Sequence, residues 1–228
     1  MARAIRNPAS EADIALLERI ESTLYTAVVS DSLDELGFRD QAMREYLRPV
    51  WRSKPFAGWA RTIACMDLFH IAEDPYGMEI EAVDSILRGE VAVVSTAQSK
   101  RNAPWGELLS TAAQVRGGRG AVVDGLVRDI RKIETLGFPV FAAGIKPLDS
   151  QGRGIVVDYN VPVECGEVLV EPGDLIFADD DGVIVVPSAV VPQVIELAAA
   201  KVARENGTRE ELLRGGYLRD AFKKYGVL

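Results

Sequence analysis

The chain has 228 residues, a hydrophobic fraction of 48% and a charged fraction of 26%, ordinary values for a globular protein with one sizeable core. Its 34 acidic against 26 basic residues give a formal net charge of -8, and the cations are scattered, which argues against sequence-independent binding of a nucleic acid backbone. Two cysteines 100 residues apart and one histidine exclude thiol and imidazole zinc sites, so any metal must be hard and oxygen-bound, Mg²⁺ or Mn²⁺.

In chain order, "MARAIRNPASEAD" has no apolar run after its basic residues and no apolar stretch approaches a membrane span, so a cytoplasmic protein without membrane contact is expected. Ser10 caps a predicted helix in which Ile14, Leu17, Ile20 and Leu24 recur at helical spacing. A second helix runs from near Thr26 to Gly37. "GWARTIACM" reads as the first strand, "EIEAVDSILRG" as an amphipathic helix closed by Gly89, and "EVAVVST" as a buried strand. His70, in "CMDLFHIAED", is expected to pack or sit at an interface rather than catalyse.

A helix over 106–116, stopped by Gly117 and Gly118, leads into strand "GAVVDG". A short helix ends at Gly137 before strand "FPVFAAG". This alternation predicts an α/β core at about 55–188, preceded by a helical part at about 10–38. The second half of that core is rich in turns and predicted to be antiparallel, with Asp181-Gly182 as a hairpin signal. Helices return over about 189–228, where Thr208 and Glu211 form a capping-box pattern for a final helix. The whole is expected to be one domain, 1–228.

Gly106, Glu107, Leu108 and Leu109 lie at a predicted helix start, where backbone N–H groups lack intrahelical partners and the dipole favours an anion. An ordinary acidic first turn explains the same residues. Twenty residues separate Glu107 from Arg128, the length of a helix, a turn and a strand, so the strand end could return to the helix start. Arg128 could then grip a carboxylate with its planar fork, and Asp129 could bind a divalent cation. A solvated strand end fits that spacing equally well. "RGGRG" matches no nucleotide-binding fingerprint.

"WGELLSTAAQVRGGRGAVVDGLVRD" resembles the signature of the RraA-like family, which includes class II 4-hydroxy-4-methyl-2-oxoglutarate/4-carboxy-4-hydroxy-2-oxoadipate aldolases. "VVSDSLDELG", "GEVAVVS", "GFPVFAAG", "PVECGEVLVEPGDLIFADDDGVIVVP" and "LRDAFKKYGVL" extend the resemblance over most of the chain. The resemblance implies an α/β fold of the phosphohistidine-swivelling-domain type (β/β/α) with flanking N- and C-terminal helices. It also implies a homotrimer or hexamer with sites between subunits, and a divalent-metal-dependent lyase that cleaves 4-hydroxy-2-oxo acids to pyruvate and decarboxylates oxaloacetate. Carried over by position, Asp129 would bind Mg²⁺ or Mn²⁺ and Arg128 would contact the 2-oxo acid and its enolate. Gly106 to Leu109 would hold the carboxylate, and Glu107 would orient a water on the metal. Glu205, with Glu210 and Glu211 as rivals, would come from a neighbouring subunit. Glu107 stands where the characterised aldolases carry aspartate, and "CMDLFHIAEDPYGMEIEAVDSIL" departs from the usual family text. The same family includes non-catalytic regulators of ribonuclease E that bind a protein partner, the alternative reading.

Overall fold

The computed structural model describes residues 7–227; most of the leading basic segment and Leu228 lie outside the described residues. The elements, in order, are α1 (Glu11–Thr23), α2 (Thr26–Glu35), β1 (Arg48–Pro49), β2 (Phe56–Asp67), α3 (Gly77–Asp84), β3 (Glu90–Ser95) and α4 (Glu107–Val115). There follow β4 (Gly120–Val127), α5 (Ile130–Leu136), β5 (Val140–Ile145), β6 (Gly154–Tyr159), β7 (Val163–Cys165), β8 (Val168–Val170), β9 (Leu175–Asp179) and β10 (Gly182–Val186). A 3₁₀ turn then leads to α6 (Val191–Leu213) and α7 (Leu218–Tyr225). This is the α/β fold with flanking N- and C-terminal helices that the sequence predicts.

Strands β2, β3, β4 and β5 are parallel neighbours joined through α3, α4 and α5. Their continuous apolar runs follow from burial on both faces. In β3, Ala92 and Val94 point into the cluster shared with α3, α4 and α5, whereas Val91 and Val93 face the opposite cluster with Phe141, Val163 and Val170. The long β2 is paired along its other edge twice, first by β9 and then, past a bulge at Ala64/Cys65, by β6, both antiparallel. The β9–β10 hairpin closes that end and carries the cluster formed with α1, α2 and α6.

Local chemistry sets the element ends. Ser10 caps α1 through a reciprocal box with Asp13, their bonds measuring 2.9 and 3.2 Å. Gly137 ends α5 in the left-handed region at φ 75°. The β9–β10 turn consists of Asp180 and Asp181, with Gly182 paired to Asp179, one residue displaced from the Asp181-Gly182 signal. Asp179 fixes this corner by accepting from the Asp181 N–H and from the N–H and hydroxyl of Thr26. Inside the sheet, Arg61 and Glu90 form a buried bidentate pair at 2.9 and 3.1 Å, and Glu90 also takes the Leu87 N–H at 2.8 Å.

Two expectations fail for tertiary reasons. The helix expected to reach Gly89 stops at Asp84, and residues 85–89 turn sharply into β3, with Glu90 N–H bonding to Leu87 C=O at 3.1 Å. Thr208 caps nothing: α6 runs straight through it, and its hydroxyl donates back to Arg204 C=O. The preceding Gly207 is kept helical because α7 packs on it; a Cβ there would lie 2.6 Å from the Tyr225 ring. His70 is exposed rather than packed in this chain.

Candidate active site at the end of β4

The end of β4 and the start of α4 are held side by side by a parallel bridge between Trp105 and Val127. Arg128 N–H donates to Trp105 C=O at 3.0 Å. Trp105 is buried, and its indole N–H donates to Ser110 Oγ at 2.9 Å, which itself donates to Gly106 C=O at 2.9 Å. The first turn of α4 is thereby locked against the strand that ends in Arg128-Asp129. The twenty-residue return thus brings Gly106 and Glu107 to the Arg-Asp pair, at the carboxyl end of parallel strands where α/β sheets bind ligands.

The contacts are close. Glu107 N–H donates to Asp129 Oδ2 at 3.3 Å, and Arg128 Nε lies 3.8 Å from the same oxygen. Gly106 is required by this approach, since a Cβ there would sit 2.7 Å from Asp129 Oδ2 and 3.1 Å from Arg128 Cγ. Asp129 adopts the left-handed conformation at φ 63°, which aspartate tolerates better than most residues, and its carbonyl accepts from Lys132 and Ile133 at the start of α5. Leu108 and Leu109, by position, have N–H groups without intrahelical acceptors. The first helical bond of α4 is Ser110 N–H to Gly106 C=O at 3.1 Å.

Gly106, Leu108, Leu109, Arg128 and Asp129 line a cleft of about 240 Å³ together with Tyr76, Glu79, Ile80, Ala103, Pro104, Asp149 and Ser150. Sequence reasoning missed Tyr76, Glu79 and Asp149. Asp149 accepts from the guanidinium of Arg128 at 3.0 Å, from Gln151 N–H at 2.9 Å and from the hydroxyl of Tyr76. Partial burial raises the Asp149 carboxyl, but the Tyr76 and Gln151 hydrogen bonds and the Arg128 charge outweigh it and hold it below the usual carboxylate range. The loop carrying Asp149 is tied to the segment before α4 by Ala103 N–H to Leu148 C=O and by Asn102 to Ser150, each at 2.9 Å.

Glu79, on α3, is a half-buried part of the cleft lining and makes no hydrogen bond or ion pair among the described residues. Burial pushes its carboxyl up to about 7, the nearby Asp149 charge adds to the rise, and Arg128 opposes it. Glu107 turns its carboxylate back along α4 to the hydroxyl of Thr111 at 3.2 Å, beside the cleft rather than lining it. Glu205 lies partly buried on α6, outside the cleft of its own chain, with burial raising its carboxyl and Arg209 opposing. The rivals are engaged elsewhere, Glu210 with Arg214 at 3.3 Å and Glu211 with Lys224 at 2.8 Å.

Among the described residues no three His, Cys, Asp or Glu side chains cluster as an all-protein metal cage. A single half-exposed carboxylate, Asp129, facing an open cleft fits instead a hard ion that keeps several waters and takes further oxygens from a chelating ligand. The arrangement therefore offers one carboxylate for a cation, one guanidinium fork and a helix N-terminus for an anion.

The RraA-like family profile, described as Aldolase/RraA, matches residues 26–185. The chain is 32% identical over 194 residues to a Halalkalibacterium halodurans protein named "Putative 4-hydroxy-4-methyl-2-oxoglutarate aldolase", covering 85% of this chain and 87% of the relative. Over 119 residues, 52% of this chain, it is 44% identical to an uncharacterized protein of Methanocaldococcus jannaschii, of which the match spans 56%. Among solved structures, Streptomyces coelicolor RraAS2, described as an unusual member of the RNase ES inhibitor RraA protein family, superposes with a TM-score of 0.75 at 29% identity, over 92% of this chain and 99% of that one. By sequence and by fold, the chain belongs to the RraA-like family.

Proposed function

We propose that the chain is a divalent-metal-dependent pyruvate aldolase that cleaves 4-hydroxy-2-oxo acids and decarboxylates oxaloacetate by the same route. The observation that carries this reading is the junction of Arg128, Asp129 and the α4 N-terminus around one small cleft. The resemblance to a relative named for 4-hydroxy-4-methyl-2-oxoglutarate aldolase activity supports it.

Asp129 would hold Mg²⁺ or Mn²⁺, which when bound supplies Lewis-acid polarisation of the 2-oxo group. The N–H groups of Leu108 and Leu109 and the positive end of the α4 dipole receive the substrate carboxylate. The guanidinium of Arg128 faces the 2-oxo oxygen, with Asp149 fixing its orientation from behind. A carboxylate, Glu107 acting through a water or Glu205 supplied by a neighbouring subunit of a trimer or hexamer, takes the 4-hydroxyl proton. The C3–C4 bond then breaks, its electrons pass to C3 as pyruvate enolate, and C4 leaves as a carbonyl. Arg128 stabilises the enolate oxygen as charge develops there, worth about 10²–10³ in rate for a single well-placed donor. Protonation at C3 gives pyruvate. No Schiff-base lysine is needed, and among the described residues none lines the cleft.

Pyruvate release from a panel of 4-hydroxy-2-oxo acids and oxaloacetate, with Mg²⁺ or Mn²⁺ and with EDTA, tests the proposal. Metal-dependent release that Arg128→Ala abolishes is expected. The second reading, a non-catalytic regulator that binds a protein partner, rests on the likeness to RraAS2; absence of release from every substrate would favour it.

A further inference from the structure

Glu79 stands at a boundary. It lines the cleft with Leu109 and Arg128, and it also lines two smaller cavities, one of them walled by the core side chains Ile63, Val83, Val94, Trp105 and Val156. Each smaller cavity offers about 10 Å³, room for about one water. The carboxyl is thus withdrawn from bulk water on its core side, and burial together with the Asp149 charge raises it to about 7 against the pull of Arg128. The other titratable groups around it are Tyr76, whose hydroxyl goes to Asp149, Cys65 and Asp67 on β2, and Asp129 in the cleft. Leu109 fixes where Glu79 lies relative to a substrate. It lines both the cleft and the core-side cavity with Glu79, and its N–H is among those assigned above to the substrate carboxylate. With C1 held there and the 2-oxo oxygen at Arg128, C3 is one bond from C2, in the part of the cleft that Leu109, Arg128 and Glu79 line together.

Resting on the aldolase reading, we propose that Glu79 is the acid that returns a proton to C3 of the pyruvate enolate and, in the reverse direction, the base that takes one from the methyl group of pyruvate. In the forward step the C2–C3 π electrons form the new C3–H bond, the enolate oxygen re-forms the C2=O bond, and the O–H bond of Glu79 breaks to leave its carboxylate. That carboxylate takes a proton from water before the next turnover. The environment suits both halves of the cycle, because a carboxyl that titrates near neutrality can give and regain a proton there, whereas an ordinary surface glutamate is almost fully ionised. The same step completes oxaloacetate decarboxylation, which leaves the same enolate.

Exchange of the pyruvate methyl protons in D₂O, followed by proton NMR with the Mg²⁺-loaded full chain, reads this step apart from carbon–carbon cleavage. The wild type is expected to exchange them at a rate that rises with pH to a plateau above about 7, because exchange needs the carboxylate form of Glu79 as base. Glu79→Gln should lower the rate by about 10²-fold or more and remove that pH step, Glu79→Asp should keep part of the rate, and Glu79→Gln should still bind oxalate within about threefold of the wild type. Infrared difference spectra of the wild type against Glu79→Gln in EDTA add a readout without turnover, a protonated carboxyl band present at about pH 5.5 and lost by about pH 8.5. No exchange by the wild type, exchange or its pH step unaltered in Glu79→Gln, oxalate binding lost together with exchange, or no such band would each overturn the proposal. If exchange behaves as expected while no 4-hydroxy-2-oxo acid yields pyruvate, the aldolase reading alone fails.

Discussion

Glu79 should make stability fall as pH rises, and Glu79→Gln should remove that dependence. Its carboxyl ionises near 4.5 in an unfolded chain and at about 7 in the fold, because burial disfavours the charged form and Asp149 repels it. Between these values the unfolded chain gives up a proton that the folded chain keeps, so folding loses stability from about pH 4.5 through pH 7. Above pH 7 the cost is complete, and below 4.5 it is absent. A rise of this size corresponds to about 3 kcal/mol at most, and to ~1–2 kcal/mol once the residual solvent around a half-buried group is allowed for. Urea unfolding in EDTA at pH 4.5 and pH 8 measures it. The glutamine variant should match the wild type at the lower pH to within a small constant offset, and exceed it by about 1–2 kcal/mol more at the higher. An offset that is the same at both pH values, or a larger loss in the variant at pH 8, would refute the environment ascribed to Glu79.

Three substitutions test other parts of the structure. Gly106→Ala places a methyl 2.7 Å from Asp129 Oδ2 while leaving an extended backbone undisturbed at φ -155°. It should cost less than about 1 kcal/mol in a melting experiment, because a side-chain end can yield, yet reduce kcat/KM for pyruvate release by roughly 10²-fold as the carboxylate proposed to hold the metal is pushed aside. Gly207→Ala gains helix propensity of about 1 kcal/mol but drives a methyl into the Tyr225 ring. The clash should prevail by roughly 1 kcal/mol net, seen as a lower Tm and faster proteolysis at α7. Arg61→Ala strands the buried Glu90 carboxylate, and chemical denaturation should show a loss of about 3–5 kcal/mol.

Much of the fold was legible because the signals are local. Ser10 with Asp13, Gly137 after α5, and the apolar runs of β3 and β4 each specify their structure within a few residues. The meeting of Gly106 and Glu107 with Arg128 and Asp129 followed from helix and strand lengths, although spacing alone left a solvated strand end equally open. Tyr76, Glu79 and Asp149 could not be read in the same way. They reach the cleft from α3 and from a loop before β6, and their contacts depend on how distant segments pack, which leaves no periodicity in the chain. A clue existed for Glu79: the stretch around it departs from the usual family text. At Thr208 a correct local rule gave the wrong answer, because the packing of Tyr225 on Gly207 favours one continuous helix where the sequence suggests two.

Under the proposed function, Asp129, Arg128 and the α4 N-terminus together form a metal-assisted oxoacid site. Oxalate, a planar mimic of pyruvate enolate, tests it directly in a calorimetric titration with and without Mg²⁺. Saturable binding is expected only when Mg²⁺ is present, abolished in Asp129→Asn and weakened about a hundredfold in Arg128→Ala, in keeping with the loss of a charge-assisted bidentate contact. Oxalate binding of equal strength in EDTA, or unaltered in Arg128→Ala, would contradict it.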